Sequence, residues 1–322
     1  MKKFWVYVLL LLNINSILSA GGVGTSSGLL LLKSPSAHAQ ALAESFSSIG
    51  ADVGGISALH YNPAAPSYLP QPQISFATEK GLLDDYFTAI HFGIPTNWGT
   101  YSASILYSDL GDIELIDSAG QSLVTRAERD FVFLVNYAEK LSDLYGTGVS
   151  LKLVHSNLVG SVSANAIAVD FGNQVRFLDN NLSLGFAVHN IGSKLTYAST
   201  SEPLPLVIRG GASFRYPVEI IQNLRFYTKE ELLLALDFIK ENNSDLKKAI
   251  GLQYIWNRSV ALRAGYKLGQ ELGKLNLGLG ILTQNCDIDY SISGGEAIGI
   301  THLVSLTYQF PKEMFMQKRK PE

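Results

Sequence analysis

The most regular pattern in the chain is an alternation of apolar and polar residues. It is clearest in the strand predicted at His302–Phe310, which alternates strictly from Val304 onward. The apolar positions are Val304, Leu306, Tyr308 and Phe310, and the polar positions between them are Ser305, Thr307 and Gln309. A strand of about ten residues with one apolar face and a final aromatic residue is typical of a membrane-spanning β-barrel.

Similar runs recur along the chain and predict roughly fourteen strands. Among the clearest are Leu206–Tyr216, Val260–Leu268 and Leu275–Ile281, in which apolar residues occupy every second position or nearly so. The predicted strands span residues 73–79, 84–94, 97–107, 126–137, 146–156, 163–175, 181–190, 204–216, 231–239, 247–256, 258–268, 274–283, 286–293 and 301–310. We therefore expect an all-β fold, a transmembrane antiparallel barrel with a small, partly helical N-terminal plug (hatch).

Alternation alone also fits a soluble β-sandwich. Three further features favour the barrel: a predicted signal peptide, the terminal aromatic strand, and aromatic residues clustered towards strand ends. An even number of strands is what a bacterial single-chain barrel requires. With the usual strand spacing and tilt, such a barrel has a diameter of ~28 Å. Side chains alone cannot fill that lumen, so it holds a plug or is an open pore.

The N-terminal residues predict the remaining segments. Met1–Lys3 followed by Phe4–Leu12 has the charge and length of a signal peptide, and small residues follow near Ala20. A membrane anchor is the alternative, but the apolar run is short for a helical span. We expect a signal peptide at 1–20, the hatch at 21–72, the barrel at 73–310 and a periplasmic tail at 311–322.

The hatch segment is rich in alanine, glycine and serine and shows no strand alternation. Pro35–Phe46 predicts a short helix, and Gly50–Ala58 a turn-rich stretch with room for a second helix. The alternative is a flexible periplasmic arm, because segments of small residues often stay mobile.

Composition excludes several classes of protein. Charged residues make up 16% of the chain, below the roughly 25% of soluble domains. The single cysteine, Cys286, cannot form an internal disulfide bond. The net charge is −3, and the basic run Lys318–Lys320 stands alone, so nucleic acid is not an expected partner. The expected location is the outer membrane of a Gram-negative cell.

Seven charged residues fall on the predicted lumen face, because a charge on the lipid face near the midplane costs about 2–4 kcal/mol. They are Lys152, Asp170, Arg209, Arg215, Arg263, Lys267 and Asp289. One hypothesis is a path for a polar or anionic solute, or for a fatty carboxylate. The favoured one is salt bridging between wall and hatch, for instance to Glu44 or Asp52.

Nothing in the sequence predicts catalysis, a metal or another cofactor. The six histidines have no metal-ligand spacing, and no Gly-x-Ser-x-Gly motif occurs. A barrel phospholipase could assemble serine and histidine from different strands, with His155 or His189 as examples. Lone histidines at strand ends are more often polar surface, so we expect a protein that is not an enzyme.

Several short motifs, in order along the chain, resemble the PorV/PorQ family of outer-membrane proteins. They are Leu32-Lys33 with Ala37-x-Ala39, Tyr61–Ala65 (YNPAA), Tyr107–Asp112 (YSDLGD), Phe131–Ser142, Gly148–Lys152, Leu204-Pro205 with Arg209–Gly211, and the closing strand. The Asn-Pro-Ala element is similar to that in the hatch of FadL-type fatty-acid transporters. Departures are Ala65, where the family often has glycine, and short outer loops, the longest expected at 108–125 and 217–230.

The resemblance implies a fourteen-stranded barrel with an N-terminal hatch, associated with type IX secretion and surface attachment. Its partners would be outer-membrane lipid and secretion-system or surface proteins. The alternative is a FadL-like transporter of a hydrophobic ligand such as a long-chain fatty acid, and a third hypothesis is an organising barrel without a ligand.

Tyr61, Asn62, Pro63 and Ala64 are the candidate hatch or gate residues. Pro63 fixes its own backbone and biases Asn62 away from helix, while the Asn62 side chain can bond to local backbone. The motif thus builds a kink, which is either a moving gate or, as we expect, a turn that holds the hatch.

Overall fold

Alternating residues form strands here because one face of each strand can meet lipid while the other lines the lumen. The computed structural model describes residues 28–81, 85–116, 120–159, 162–222, 226–242, 244–269, 275–295 and 299–311. The predicted signal peptide and nearly all of the predicted tail lie outside these residues. No helix among the described residues is long and apolar enough to cross a membrane.

Eighteen strands are present in the described residues. In chain order they are β1 (Gln73–Lys80), β2 (Tyr86–Thr96), β3 (Gly99–Asp109), β4 (Asp112–Ile116), β5 (Ser122–Arg126), β6 (Glu128–Lys140), β7 (Tyr145–Leu158), β8 (Val162–Phe177), β9 (Leu182–Gly192), β10 (Leu195–Tyr197), β11 (Thr200–Glu202), β12 (Val207–Gln222), β13 (Phe226–Glu241), β14 (Lys247–Trp256), β15 (Val260–Leu268), β16 (Leu275–Leu282), β17 (Cys286–Gly295) and β18 (Gly299–Gln309).

Fourteen of these strands close into an antiparallel barrel, in which β1 pairs with β18. This confirms the predicted fold and strand number. The remaining strands form two small hairpins, β4–β5 and β10–β11, within connections of the barrel. The expected loop at 217–230 is wrong, because β12 and β13 continue through most of it and pair with each other. Valine, isoleucine, phenylalanine and tyrosine are frequent there, and they favour extended backbone.

Turn lengths orient the barrel in the membrane. At one end β2, β6, β8, β14 and β16 are each followed by a turn of two to four residues. The connections that carry the hairpins β4–β5 and β10–β11 lie at the opposite end. Outer-membrane barrels have short periplasmic turns and longer outer loops. The first end is therefore periplasmic and the second is the outer mouth.

The outward face of the barrel is apolar, as lipid contact requires. Leucines such as Leu252, Leu262 and Leu277 are exposed there. Aromatic residues mark both boundaries of this band, as in the girdles of outer-membrane barrels. Tyr86 and Tyr107 pair near the outer mouth, and Tyr308 packs on Phe310 at the periplasmic end.

The hatch lies inside the lumen and is built from short helical turns. They are the α-helices Ala37–Ala41 and Ala51–Gly54 and the 3-10 helices Leu29–Leu32, Ile56–His60 and Ala65–Tyr68. Ser36 caps the first α-helix by accepting a hydrogen bond from the Ala39 backbone N–H. The segment descends from Leu30 and Leu31, which pack near the outer mouth, to Tyr68 at the periplasmic end. The lumen is therefore occupied along its length.

Candidate functional site

Asn62 holds the centre of the hatch together. Its side-chain Oδ1 accepts a hydrogen bond from the backbone N–H of Ala64 at 2.9 Å. This bond closes the tight turn around Pro63 that the sequence predicts. The same side chain donates through Nδ2 to the carbonyl oxygens of Ser47, at 2.6 Å, and Asn173, at 3.0 Å. Asn173 belongs to β8, so this one fully buried residue joins two hatch segments to the wall.

Pro63 is contacted from the wall on the other side. Asn136 Nδ2 on β6 donates to the carbonyl oxygen of Pro63 at 3.1 Å. Two wall glycines allow the hatch to come so close. A Cβ built on Gly148 would lie 1.9 Å from the Pro63 oxygen, and one on Gly172 would lie 2.1 Å from Asn62 Oδ1. Only glycine leaves room for this backbone approach.

Tyr61 and Ala64 are fully buried on either side of this turn. The Tyr61 hydroxyl lies 2.6 Å from Ser34 Oγ, and its ring packs against Phe46. His189 on β9 lies with Nε2 at 3.0 Å from the Tyr61 carbonyl oxygen, so this nitrogen carries the hydrogen. Burial raises the pKa of Tyr61, which keeps the phenol neutral. All four candidate hatch residues thus lie in one rigid, close-packed turn.

Glu44 is the main ion-pair contact between hatch and wall. It has a positive φ of 60°, an uncommon conformation for a residue with a side chain. Its carboxylate accepts from Lys267 Nζ at 2.8 Å and Arg209 Nη2 at 3.1 Å, and Arg209 Nη1 also donates to its carbonyl oxygen. Burial alone would raise the pKa of Glu44, but Lys267 and Arg209 together hold it lowered to about 2. Two of the predicted lumen charges are therefore bound to the hatch.

Acidification is expected to loosen the hatch through Glu44. A carboxylate with a lowered pKa stabilises the folded state above its unfolded pKa of about 4.5 and loses this effect as the pH falls towards 2. The shift corresponds to about 3 kcal/mol at neutral pH. Burial also lowers the pKa of His38 and His60. The stability that these neutral histidines give the folded hatch therefore decreases as the pH falls below about 6.5.

Hydrogen exchange of hatch peptides between pH 7 and pH 3, corrected for intrinsic rates, measures this loosening. Glu44→Gln is expected to leave the hatch less protected at pH 7 and to remove the loss between pH 4.5 and 3. The loss of protection that begins near pH 6.5 comes from the histidines and should remain in the variant. Identical pH profiles for the variant and the wild type would contradict the role of Glu44.

Lys152 and Asp170 form a buried pair within the wall. Lys152 Nζ lies 2.7 Å from Asp170 Oδ2, and both side chains are almost fully buried. They stand at a β-bulge, because the pairing of β8 with β9 shifts by one residue between Val169 and Phe171. Asn190, with a positive φ of 63°, donates its backbone N–H to Asp170 and accepts from Lys152. The pair stabilises the bulge rather than offering a free charge to the lumen.

The other predicted lumen charges also have hydrogen-bond or ion-pair partners. Arg263 on β15 donates to Asp289 on β17 at 2.6 Å and to Gln253 on β14 at 2.6 Å. Arg215 lies lower, where it donates to the carbonyl oxygen of Asn180 in a periplasmic turn. Each of the seven predicted charges thus has a hydrogen-bond or ion-pair partner in the hatch or the wall.

Several wall residues that contact the hatch were missed from the sequence, and Arg176 and Asp237 are two charged examples. Arg176 on β8 binds Asp52 through two hydrogen bonds of 2.9 and 2.6 Å. Asp237 on β13 accepts the backbone N–H groups of Phe46 and Ser47 and the Ser47 hydroxyl. Both fall on the lumen side of alternating strands, so the same parity rule that selected Arg209 could have found them.

An apolar compartment lies inside the outer mouth. Its wall consists mostly of small and aliphatic residues, namely Ala77, Phe87, Ala89, Leu106, Val132, Val154, Ala164, Ala166, Ala168 and Leu303. Leu30 and Leu31 of the hatch fill it from within, while Leu195 and Tyr197 of β10 cover it from above. The compartment is closed by the chain's own apolar residues.

The two histidines considered for catalysis, His155 and His189, each contact polar side chains of the wall. His155 is exposed and lies 2.8 Å from Asn165 Oδ1, and His189 lies in the bulge beside Asp170. Within the described residues no group of three histidine, cysteine or acidic side chains could hold a metal ion.

Comparison with known proteins finds one matching family and several solved structures with the same fold. The family described as type IX secretion system protein PorV matches residues 25–230. No curated protein matches the chain. Solved structures with the same fold include the Pseudomonas putida toluene transporter TodX, with 14% identity, 91% of this chain and 100% of that chain covered, and a TM-score of 0.58. A Pseudomonas aeruginosa FadL homologue has 10% identity, coverages of 87% and 99%, and a TM-score of 0.54.

Proposed function

The chain belongs to the PorV family of type IX secretion system proteins, and from this premise we propose that it acts as a closed outer-membrane barrel that holds partner proteins at its outer face. The proteins of this family and fold are outer-membrane barrels and transporters rather than enzymes, and on this basis we propose that the chain has no enzymatic activity. The observation that carries the proposal is the sealed lumen. Secreted proteins would have to be handled outside the barrel wall.

The contacts of the hatch support a permanent plug. Glu44 and Asp52 bind cations of the wall, and Asp237 of the wall binds the hatch backbone. Wall glycines such as Gly148 meet the hatch backbone directly. Each contact would have to break together with its neighbours before the hatch could leave. A gate that opens in every transport cycle would be expected to have fewer such contacts.

The outer face offers an exposed arm for a partner. The hairpin β4–β5 carries Ile113, Leu115 and Leu123, all exposed at the outer end of the barrel. Its base is rigid because buried Asp109 accepts from Arg129 at 3.0 Å, from Arg126 at 3.5 Å and from the Gly111 backbone N–H. A rigid arm with exposed apolar residues is the type of surface that marks interaction sites.

Removal of the arm is expected to separate assembly from function. A variant in which residues 112–126 are replaced by a short glycine-serine linker should reach the outer membrane and keep its heat-modifiable gel mobility. Cargo proteins should then accumulate in the periplasm, as measured by fractionation. As a matched control, replacing only residues 117–119, which connect β4 to β5 in the sequence, with glycine-serine should leave secretion unchanged. Normal secretion without the arm would contradict its role.

A FadL-like transporter is the second candidate, and the apolar compartment at the outer mouth favours it. A hydrophobic ligand could displace Leu30 and Leu31 and occupy the space beside Leu106 and Val154. Transport would then require the hatch below to move.

A disulfide between hatch and wall separates the two candidates. Ser45 Oγ lies 2.5 Å from the position of a Cβ on Gly251, and Leu42 Cβ and the Leu42 carbonyl oxygen lie 2.8 Å from it. S45C/G251C in a Cys286→Ser background therefore brings two thiols into reach after a small local shift, which the reduced form of the same variant controls for. If the barrel is a closed scaffold, the oxidised variant should support secretion as well as its reduced form. Loss of acyl-compound uptake on oxidation, with recovery on reduction, would instead establish transport.

A further inference from the structure

A cleft opens at the periplasmic end of the barrel, between the end of the hatch and the wall. Its volume is about 550 Å³, within the range of roughly 300–1,000 Å³ found for small-molecule sites. Ser67 and Tyr68 of the hatch form one side, Lys140 and Arg176 come from β6 and β8, and Trp98 lies in the turn after β2. The sealed-barrel proposal gives this cleft no role.

The Tyr68 ring is flanked by two cations. The Arg176 guanidinium carbon lies 3.5 Å from the ring centroid, and Lys140 Nζ lies 5.1 Å from it. Arg176 is held in place by its two hydrogen bonds to Asp52. Tyr68 and Arg176 therefore form a preorganised aromatic and cationic side of the cleft, beside the exposed Lys140.

The carboxylates of the cleft are already engaged, whereas several of its donors are not. Asp52 binds Arg176, and Glu139 accepts from the Tyr137 hydroxyl at 3.1 Å. Exposed Lys140 makes no ion pair in the described part of the chain. Buried Arg176 Nε and Ser67 Oγ have no hydrogen-bond partner there. Lys140 and Arg176 Nε can only donate, and the Ser67 hydroxyl can donate or accept, so these groups favour an anionic ligand.

An apolar platform stands at the entrance. The Trp98 side chain is 79% exposed and lines the same cleft, and its backbone is fixed by hydrogen bonds to Thr96 Oγ1 and from the Tyr137 hydroxyl. An exposed indole on a rigid turn offers a flat surface on which a ring can stack.

We propose that this periplasmic cleft binds a ring-bearing carboxylate, with the carboxylate at Lys140 and the ring against Trp98. Such a ligand would meet the hatch at Tyr68, three residues beyond the turn that Asn62 and Pro63 build. The proposal goes beyond the docking function, since either could hold without the other.

Benzoate is the probe that tests this site. The chain has three tryptophans, Trp5, Trp98 and Trp256, and we expect Trp5 to be removed with the predicted signal peptide. In a Trp256→Phe background, the fluorescence of Trp98 should change saturably as benzoate is added to the purified full-length protein in detergent. Lys140→Gln should weaken binding about tenfold or more, because a charged hydrogen bond is lost, and Lys140→Arg should retain most of it.

Two controls keep the result specific. Benzyl alcohol has the ring without the charge and should bind much more weakly than benzoate. Lys194→Gln, in an outer connection away from the cleft, should leave benzoate affinity unchanged. Heat-modifiable mobility of each variant shows that the barrel is folded. No saturable response in the folded protein, or equal affinity in Lys140→Gln, would overturn the proposal.

Discussion

Replacing Gly148 and Gly172 with alanine is expected to displace the centre of the hatch. The new methyl groups would overlap the Pro63 oxygen and Asn62 Oδ1, at 1.9 and 2.1 Å. The wall cannot retreat easily, since Gly148 is paired with Ala138 on one side and Gly172 on the other. The hatch must therefore shift and lose the hydrogen bonds of Asn62 and Asn136. We expect a cost of about 3 kcal/mol or more.

Hydrogen exchange of the hatch peptides measures this displacement. In the double variant we expect exchange to become faster in residues 56–68, by more than it does in the barrel strands. Gly210→Ala is the matched control, because a Cβ there would meet its first neighbour, the Phe186 side chain, only at 3.9 Å. Equal hatch protection in the double variant and the control would show that close backbone packing does not hold the hatch.

Replacing Asp170 with leucine is expected to destabilise the whole barrel. Lys152 would remain as a charge with 2% of its side chain exposed and no carboxylate beside it. The loss of one partner from a buried pair costs about 3–5 kcal/mol. The bulge would also lose the bond from the Asn190 backbone N–H. The temperature at which the folded gel band disappears should fall markedly.

The double variant Lys152→Met with Asp170→Leu should recover much of that loss, because it leaves no unpaired charge. Glu241→Gln is the control, since its pair with Lys247 is more exposed, at 17% and 21% of the two side chains. Its effect should stay within about 1 kcal/mol. If Asp170→Leu and Glu241→Gln shifted the transition equally, the buried pair would have no special structural role.

The strands and the direction of their side chains could be predicted from the sequence, because the alternation repeats a rule that every barrel strand obeys. In Val260–Leu268 and from Val304 onward in the last strand, the polar residues lie inside and leucines such as Leu262 and Leu306 face lipid, as expected. At the outer end of the last strand the order is reversed, because Leu303 is buried in the apolar compartment and His302 is exposed. The rule did not predict how far β12 and β13 extend, since both continue beyond the predicted ends at residues 216 and 231. Alternation tells which way a residue points, but it does not tell where a hairpin leaves the membrane.

The partners of the lumen charges could not be predicted from the sequence. Arg209 and Lys267 are far from Glu44 in the chain, and their meeting depends on the path of the hatch across the lumen. Asn190 has no pattern that marks a bulge, since the register shift arises only when β8 and β9 pair. Gly148 and Gly172 look like ordinary strand glycines until the hatch backbone is placed against them.

Conductance across a planar lipid bilayer tests the central claim, a lumen sealed by the hatch, most directly. The full-length protein and a variant lacking residues 28–68 would be inserted under the same conditions. We expect no current steps from the intact protein and stable steps from the variant, whose fourteen-stranded wall would enclose water. Stable steps of the same size from the intact protein would contradict the account, because the lumen would then be open with its hatch in place.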